Sequence, residues 1–400
     1  MSDRRHKVWV FVLEGIAALA TTFYGTYVFF LLRDKYGFGN VGNLSVAALQ
    51  GLMGAVAAWQ GGRFAQRCGY FTALQVGFGG MAVSLLAGWL MPGLVVQLLV
   101  LGGFITFACF VWPALEALVS EGESGEDLPR MVGIYNVVWG AATAVSFFCG
   151  GALFDHLGAR SIFWLPAGIF GLEILLVWRL ARRLQVTPHA PGPLLSVSRE
   201  RQTPNGRPFV NPRMFLWLAW LANPFAGIGI YTLVAIIPDK ARELHLSATY
   251  SGFFCSIWFF ARLAAFLLLW RWEGWHYRFR WLLGAFLALM GGFATILLAR
   301  NFWLLILAQI SFGLAIGLTY YSSLFYSMDV GTTKGQHGGL HEAAMGAGNC
   351  LGPAVGAASL LLAPHAANAA GYAVSGLMAI GLVGLVGLRL RSAPRPMHRQ

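Results

Sequence analysis

The chain has 400 residues, of which only 11% are charged, 57% are hydrophobic and 50 are glycine. That mixture excludes an ordinary soluble globular domain and fits a polytopic membrane protein, in which glycines let helices approach closely. The net charge of +12 raises nucleic acid as a partner, but the placement of the basic residues along the chain argues against it.

The first apolar run follows Arg4, Arg5, His6 and Lys7 and continues, interrupted only by Glu14, to Leu32. It is too long for a signal-peptide core, so the reading is a retained first helix, about Val8–Leu32. Helices 2 to 6 are expected at about Val41–Gly61, Phe71–Leu90, Val95–Leu118, Met131–Phe154 and Ser161–Leu180, with an acidic loop, Glu121 to Asp127, after helix 4. The stretch Arg182–Arg213 is rich in arginine, holds Pro188, Pro191, Pro193, Pro204 and Pro208, and lacks hydrophobic periodicity. It reads as a flexible linker in which Ser196 or Ser198 could be phosphorylated. Helices 7 to 12 are expected at about Met214–Pro238, Ala248–Trp270, Phe279–Leu298, Phe302–Met328, Gly339–Ala363 and Ala370–Leu390.

If the chain alternates from a cytoplasmic amino terminus, 21 Lys and Arg fall on the cytoplasmic side. Six fall outside (Arg33, Lys35, Arg160, Lys240, Arg242, Arg300), and Arg262 alone lies within a span. This asymmetry places both termini in the cytoplasm and directs the basic excess at anionic membrane lipids rather than nucleic acid. The five cysteines lack metal-ligand spacing and read as packing residues.

Two segments 206 residues apart share a glycine pattern: Gly133, Gly140 and Gly150 correspond to Gly339, Gly346 and Gly356, with Asn136 falling on Glu342. Such spacing over half the chain indicates a duplicated membrane unit. The domains expected are an amino-terminal bundle (1–181), a basic linker (182–213), a carboxy-terminal bundle (214–391) and a tail (392–400). The fold class is all-α, with twelve transmembrane helices in two pseudo-symmetric six-helix bundles.

Two sets of six spans joined by a basic linker closely resemble the major facilitator superfamily. Between helices 2 and 3, Gly62, Arg67 and Gly69 match that superfamily's loop pattern, while Gln66 stands where its acid belongs and Tyr70 and Phe71 where bases are usual. The resemblance implies a cytoplasmic gate there, without the charge-assisted bond an acid would give. In helix 11, Gly348, Gly352, Pro353 and Gly356 fit G-x-x-x-G-P-x-x-G, which the superfamily's drug–proton antiporters carry in helix 5. Gly352 and Pro353 are candidates for helix bending, beside the plainer reading of small-residue packing.

Charges inside spans are the most informative positions, because each costs about 2.5–3.5 kcal/mol at the bilayer centre. Glu14, Glu116, Arg262 and Glu342 are the candidates for proton coupling or charge pairing, and Glu173 is a weaker one. The spacing allows a Glu342–Arg262 pair near one membrane face. The alternatives are a macrodipole-stabilised Glu342 in the first turns of helix 11 and an Arg262 that snorkels to the interface. Tyr24, Tyr27, Gln50, Asn136, Trp139, Asn223, Tyr231, Tyr320 and Asn349 are the candidate cavity residues, a mixture suited to a small organic solute.

Enzyme signatures are lacking: there is no His-Glu-x-x-His, no Gly-rich phosphate loop and no Gly-x-Ser-x-Gly. No catalytic residue, metal or cofactor is expected. The functional expectation is a secondary active, proton-coupled carrier of a small organic solute that works as a monomer. An amphipathic-drug exporter and a non-transporting receptor or assembly partner of the same fold remain open beside it.

Overall fold

The computed structural model describes residues 2–123, 127–184, 211–243, 245–299, 301–331, 333–366 and 368–391, with side chains described in these ranges except at 2–6 and 183–184. The serines at 196 and 198, most of the linker and the tail lie outside the described residues. Twelve α-helices follow one another: α1 Ser2–Tyr36, α2 Asn40–Cys68, α3 Tyr70–Leu90, α4 Leu94–Ser120, α5 Asp127–Leu157, α6 Ser161–Leu184, α7 Pro212–Glu243, α8 Ala248–Arg271, α9 Phe279–Leu298, α10 Phe302–Val330, α11 Lys334–Leu362 and α12 Ala369–Arg391. All twelve are long and apolar enough to cross a membrane, and Leu99, Leu175, Leu362 and Val383 are left facing outward, where lipid would cover them.

Helices α1–α6 pack among themselves, as do α7–α12, and the halves meet chiefly along α2 against α11 and α5 against α8. The paired glycines of the repeat explain both seams. A Cβ at Gly133 or Gly140 would strike Trp270 or Phe266 of α8, and one at Gly339 or Gly346 would strike Gly62 or Ala55 of α2. Along α2–α11 the glycines let backbone meet backbone, and along α5–α8 they make room for the Trp270 and Phe266 rings. The third pair does not mirror: Gly150 faces Tyr27 and Phe23 of α1, whereas Gly356 faces Leu44 of α2.

Several helices run past the lengths expected. The gate stretch is not a loop: Gly62, Gln66 and Arg67 form the last turns of α2, and only Gly69, at φ +93°, makes the turn into α3. Gly62 lies under Gly335 and Gly339, so its lack of a side chain serves the α2–α11 seam. Helix α11 starts at Lys334, before the expected Gly339, which sets Glu342 more than two turns inside. A helix dipole acts within its first turn, so the macrodipole reading of Glu342 fails on geometry. Pro353 lies inside α11, and Gly352 beside it packs on Ile228 and Thr232 of α7.

Candidate functional site

Between the bundles lies a cavity of about 200 Å³. The helices reach it with stripes at three- and four-residue spacing, the signature of one helical face. On α1 the stripe is Thr21, Thr22, Gly25 and Thr26; on α4 it is Ile105, Ala108, Cys109 and Trp112; on α11 it is Glu342, Met345, Gly346 and Asn349. Gln50, Trp139, Thr143, Tyr231, Arg262 and Tyr320 complete the polar and aromatic lining.

Arg262 is the cavity's cation, 2% exposed. Its Nη2 donates to Thr143 Oγ1 at 2.5 Å, and its guanidinium carbon stands 4.2 Å from the centre of the Trp139 ring and 4.9 Å from that of Phe259. A desolvated cation over an indole gains about 2 kcal/mol. Trp139 in turn stacks on Tyr320 at 4.8 Å with the planes 13° apart. Thr143 and Trp139 belong to α5, Arg262 to α8 and Tyr320 to α10, so this group ties the halves together across the cavity.

Glu342 does not pair with Arg262. Its Oε1 accepts from the Tyr320 hydroxyl at 3.2 Å and lies 3.6 Å from His341 Nε2, which is itself 4.0 Å from Glu116 Oε1. One potential ligand atom from each of Glu116, His341 and Glu342 falls within 4.8 Å of the others. His341 and Glu116 are wholly buried. The other edge of the imidazole is anchored: Nδ1 shares a hydrogen bond with Ser323 Oγ at 2.8 Å and lies 3.4 Å from Asn223 Nδ2, which also donates to the His341 backbone carbonyl at 3.3 Å. Among the described residues its Nε2 makes no hydrogen bond, and the Glu116 carboxyl has no partner besides the neighbouring Glu342 carboxyl. Three ionisable groups from both halves thus converge with unused hydrogen-bonding capacity, which equips them to hold and pass protons. The same donor set could hold a cation, although Glu342 Oε1 is already engaged by Tyr320.

The remaining candidates divide. Gln50, Trp139, Tyr231, Tyr320 and Asn349 line the cavity. Tyr24, Tyr27, Asn136 and Asn223 do not, and this corrects their assignment. Tyr24 packs on Phe104 at 4.4 Å, Tyr27 donates to the Phe147 carbonyl at 2.8 Å, Asn136 donates to the Val132 carbonyl at 3.0 Å, and Asn223 serves His341. Glu14 and Glu173 are wholly buried within the amino-terminal bundle, off the cavity. Tyr135 neighbours Glu14. Arg262 does not snorkel; its guanidinium stays between α5 and α8.

At the end carrying the α2–α3 turn, Gln66 Oε1 accepts from the Gly335 backbone N–H at 3.2 Å and from the Tyr70 hydroxyl at 3.2 Å. A neutral amide thereby joins the halves. At the opposite end, Asp155 Oδ2 accepts from the Thr249 backbone N–H at 2.8 Å and from its hydroxyl at 2.6 Å, while Arg33 donates to the Pro238 carbonyl. Contacts between the bundles therefore stand at both ends of the cavity.

The residues missed by reading the sequence are His341 and Thr143. His341 sits beside Glu342 in an otherwise apolar, glycine-rich run, the same argument that singled out the glutamate. Thr143 carried no signal of its own.

Comparison with known proteins agrees with the geometry. The Major Facilitator Superfamily profile matches residues 10–353. The crystal structure of the human organic anion transporter MFSD10 (TETRAN) superposes with a TM-score of 0.68 at 17% identity, covering 96% of this chain and 100% of that one. A variant of the nucleoside transporter NupG superposes with a TM-score of 0.68 at 13% identity, covering 96% and 99%. These likenesses show the fold. No curated protein matches the chain.

Proposed function

The chain belongs to the Major Facilitator Superfamily, a family of secondary transporters and not of enzymes, and on that premise we propose that it carries a small organic solute by alternating access coupled to proton movement. The observation behind this reading is the Glu116–His341–Glu342 cluster, set where α4 of one half meets α11 of the other and opening through Glu342 onto the cavity. Where each proton resides decides the net charge of the seam, and unpaired charge there is costly in a low dielectric. A change of protonation therefore biases how the halves pack, and the cavity shares Glu342 and Tyr320 with the cluster. Glu14 is a second candidate proton site, about two turns along α1 from the cavity-lining Thr21. The Gln66–Gly335 contact and the Gly69 turn serve as the gate at one end, with Gly352 and Pro353 letting α11 flex. Both termini lie in the cytoplasm of a cell-membrane protein that functions as a monomer, with its basic loops against anionic lipid.

The test uses proteoliposomes loaded with a pH-sensitive dye. Adding a transported solute should evoke a luminal pH change, and Glu342→Gln should abolish that change while solute binding persists. Solute flux without any proton movement in the native protein would refute the coupling.

A further inference from the structure

The ionic lining of the cavity is lopsided. Arg262 and Glu342 both reach it, but Glu342 is already matched by the Tyr320 hydroxyl and lies beside His341. A guanidinium has five N–H donors in a planar fork. Arg262 spends one of them on a neutral hydroxyl, Thr143, and its Nε has no hydrogen-bond partner among the described residues. No carboxylate lies within 4.0 Å of it among the described residues, and its other neighbours include the rings of Trp139, Phe259, Trp258 and Phe266. Aromatic faces steady a cation without neutralising it. A buried, always-charged group in mid-membrane is retained where it has a counter-charge to meet.

We propose that the cavity receives a small organic anion, its carboxylate, sulfonate or phosphate group seated on the free edge of the Arg262 guanidinium and its planar apolar body lying along Trp139 and Tyr320. The inference rests on the carrier reading and names its substrate class. The fork of Arg262 suits two oxygens of one acidic group, which a lysine could only meet as a point charge. The threonine hydroxyls of α1, across the cavity, can hydrogen-bond polar substituents on the body. With a volume of about 200 Å³ the cavity admits a molecule of roughly single-ring size and excludes bulky amphipaths. Because Trp139 and Thr143 come from one half and Arg262 from the other, an anion that displaces Thr143 from Arg262 changes a contact between the bundles.

The experiment compares ligands of one shape and different charge on the purified full-length protein: benzoate, benzenesulfonate and phenyl phosphate against benzamide and benzylamine, read by thermal stabilisation and equilibrium binding. At least one anion should bind about tenfold or more tightly than benzamide. Arg262→Gln should remove that preference, leaving no anion tighter than benzamide on the same variant, and Arg262→Lys should fall between. The native selectivity needs no variant, so a poorly folding Arg262→Gln does not blunt the test. Equal binding of all five, or preference for benzylamine, overturns the inference. A neutral or cationic solute that is carried into proteoliposomes while the anions are ignored overturns it too, but leaves the carrier reading standing. Anions that bind with the predicted selectivity yet never cross the membrane uphold the inference and defeat the carrier reading.

Discussion

Glu116, His341 and Glu342 are brought together by two helices from different halves, and no spacing in the sequence announces it. Glu342 was legible as an ionisable residue in a span, and Asn349 as an amide one helical face along. What could not be read was the partner, because the side chain opposite a helix face depends on helix rotation and crossing. Thus the expected Glu342–Arg262 pair gives way to two separate groups, Glu342 with Tyr320 and His341, and Arg262 with Thr143 and Trp139. His341 links the cluster to α10 and α7 through Ser323 and Asn223. His341→Gln keeps a polar side chain near Ser323 but removes the imidazole that faces both carboxyl groups. We expect this variant to fold and bind solute while proton-driven accumulation falls about tenfold or more, as for loss of a proton-transferring group. Accumulation equal to that of the native protein would remove His341 from the coupling.

Glycine placement decides how the helices cross, and here most of the repeat was visible beforehand. Gly133 and Gly140 with Gly339 and Gly346 mark the two seams because each meets a neighbour with no room for a Cβ. Helix lengths were less legible. Polar residues such as Gln66 and Arg67 end the apolar run but not the helix, which continues to Cys68 beyond the hydrocarbon. The glycines also predict opposite substitution effects. Gly348 abuts the Pro224 carbonyl of α7, whereas Gly171 has open space around it. Gly348→Ala should lower stability by about 1–3 kcal/mol through overpacking. Gly171→Ala should be neutral, or stabilising by up to about 1 kcal/mol, from helix propensity. Thermal denaturation in one detergent measures both, and equal effects would contradict the packing described.

The two halves are held at both ends by a few hydrogen bonds and by glycine seams, with the cavity and the ionisable cluster between them. Twelve spans in two sets were readable from hydropathy alone, because burial in lipid dictates long apolar helices. The cavity lining was readable only in part: five of the nine candidates reach it, since polar residues in spans serve packing as often as solute. If the halves rock about this cavity, the contact between Gln66 and Gly335 and the contact between Asp155 and Thr249 should open in turn, not together. The most direct measurement is pulsed spin-label distance analysis of two cysteine pairs in a background without native cysteines. One pair, Arg67→Cys with Gln336→Cys, spans the end with the α2–α3 turn; the other, His156→Cys with Tyr250→Cys, spans the opposite end. All four positions are exposed. Between mildly alkaline and mildly acidic pH, one distance distribution should lengthen as the other shortens, and Glu342→Gln should abolish the exchange. Distributions that stay fixed at both ends across pH and solute, or that widen together, would contradict the account.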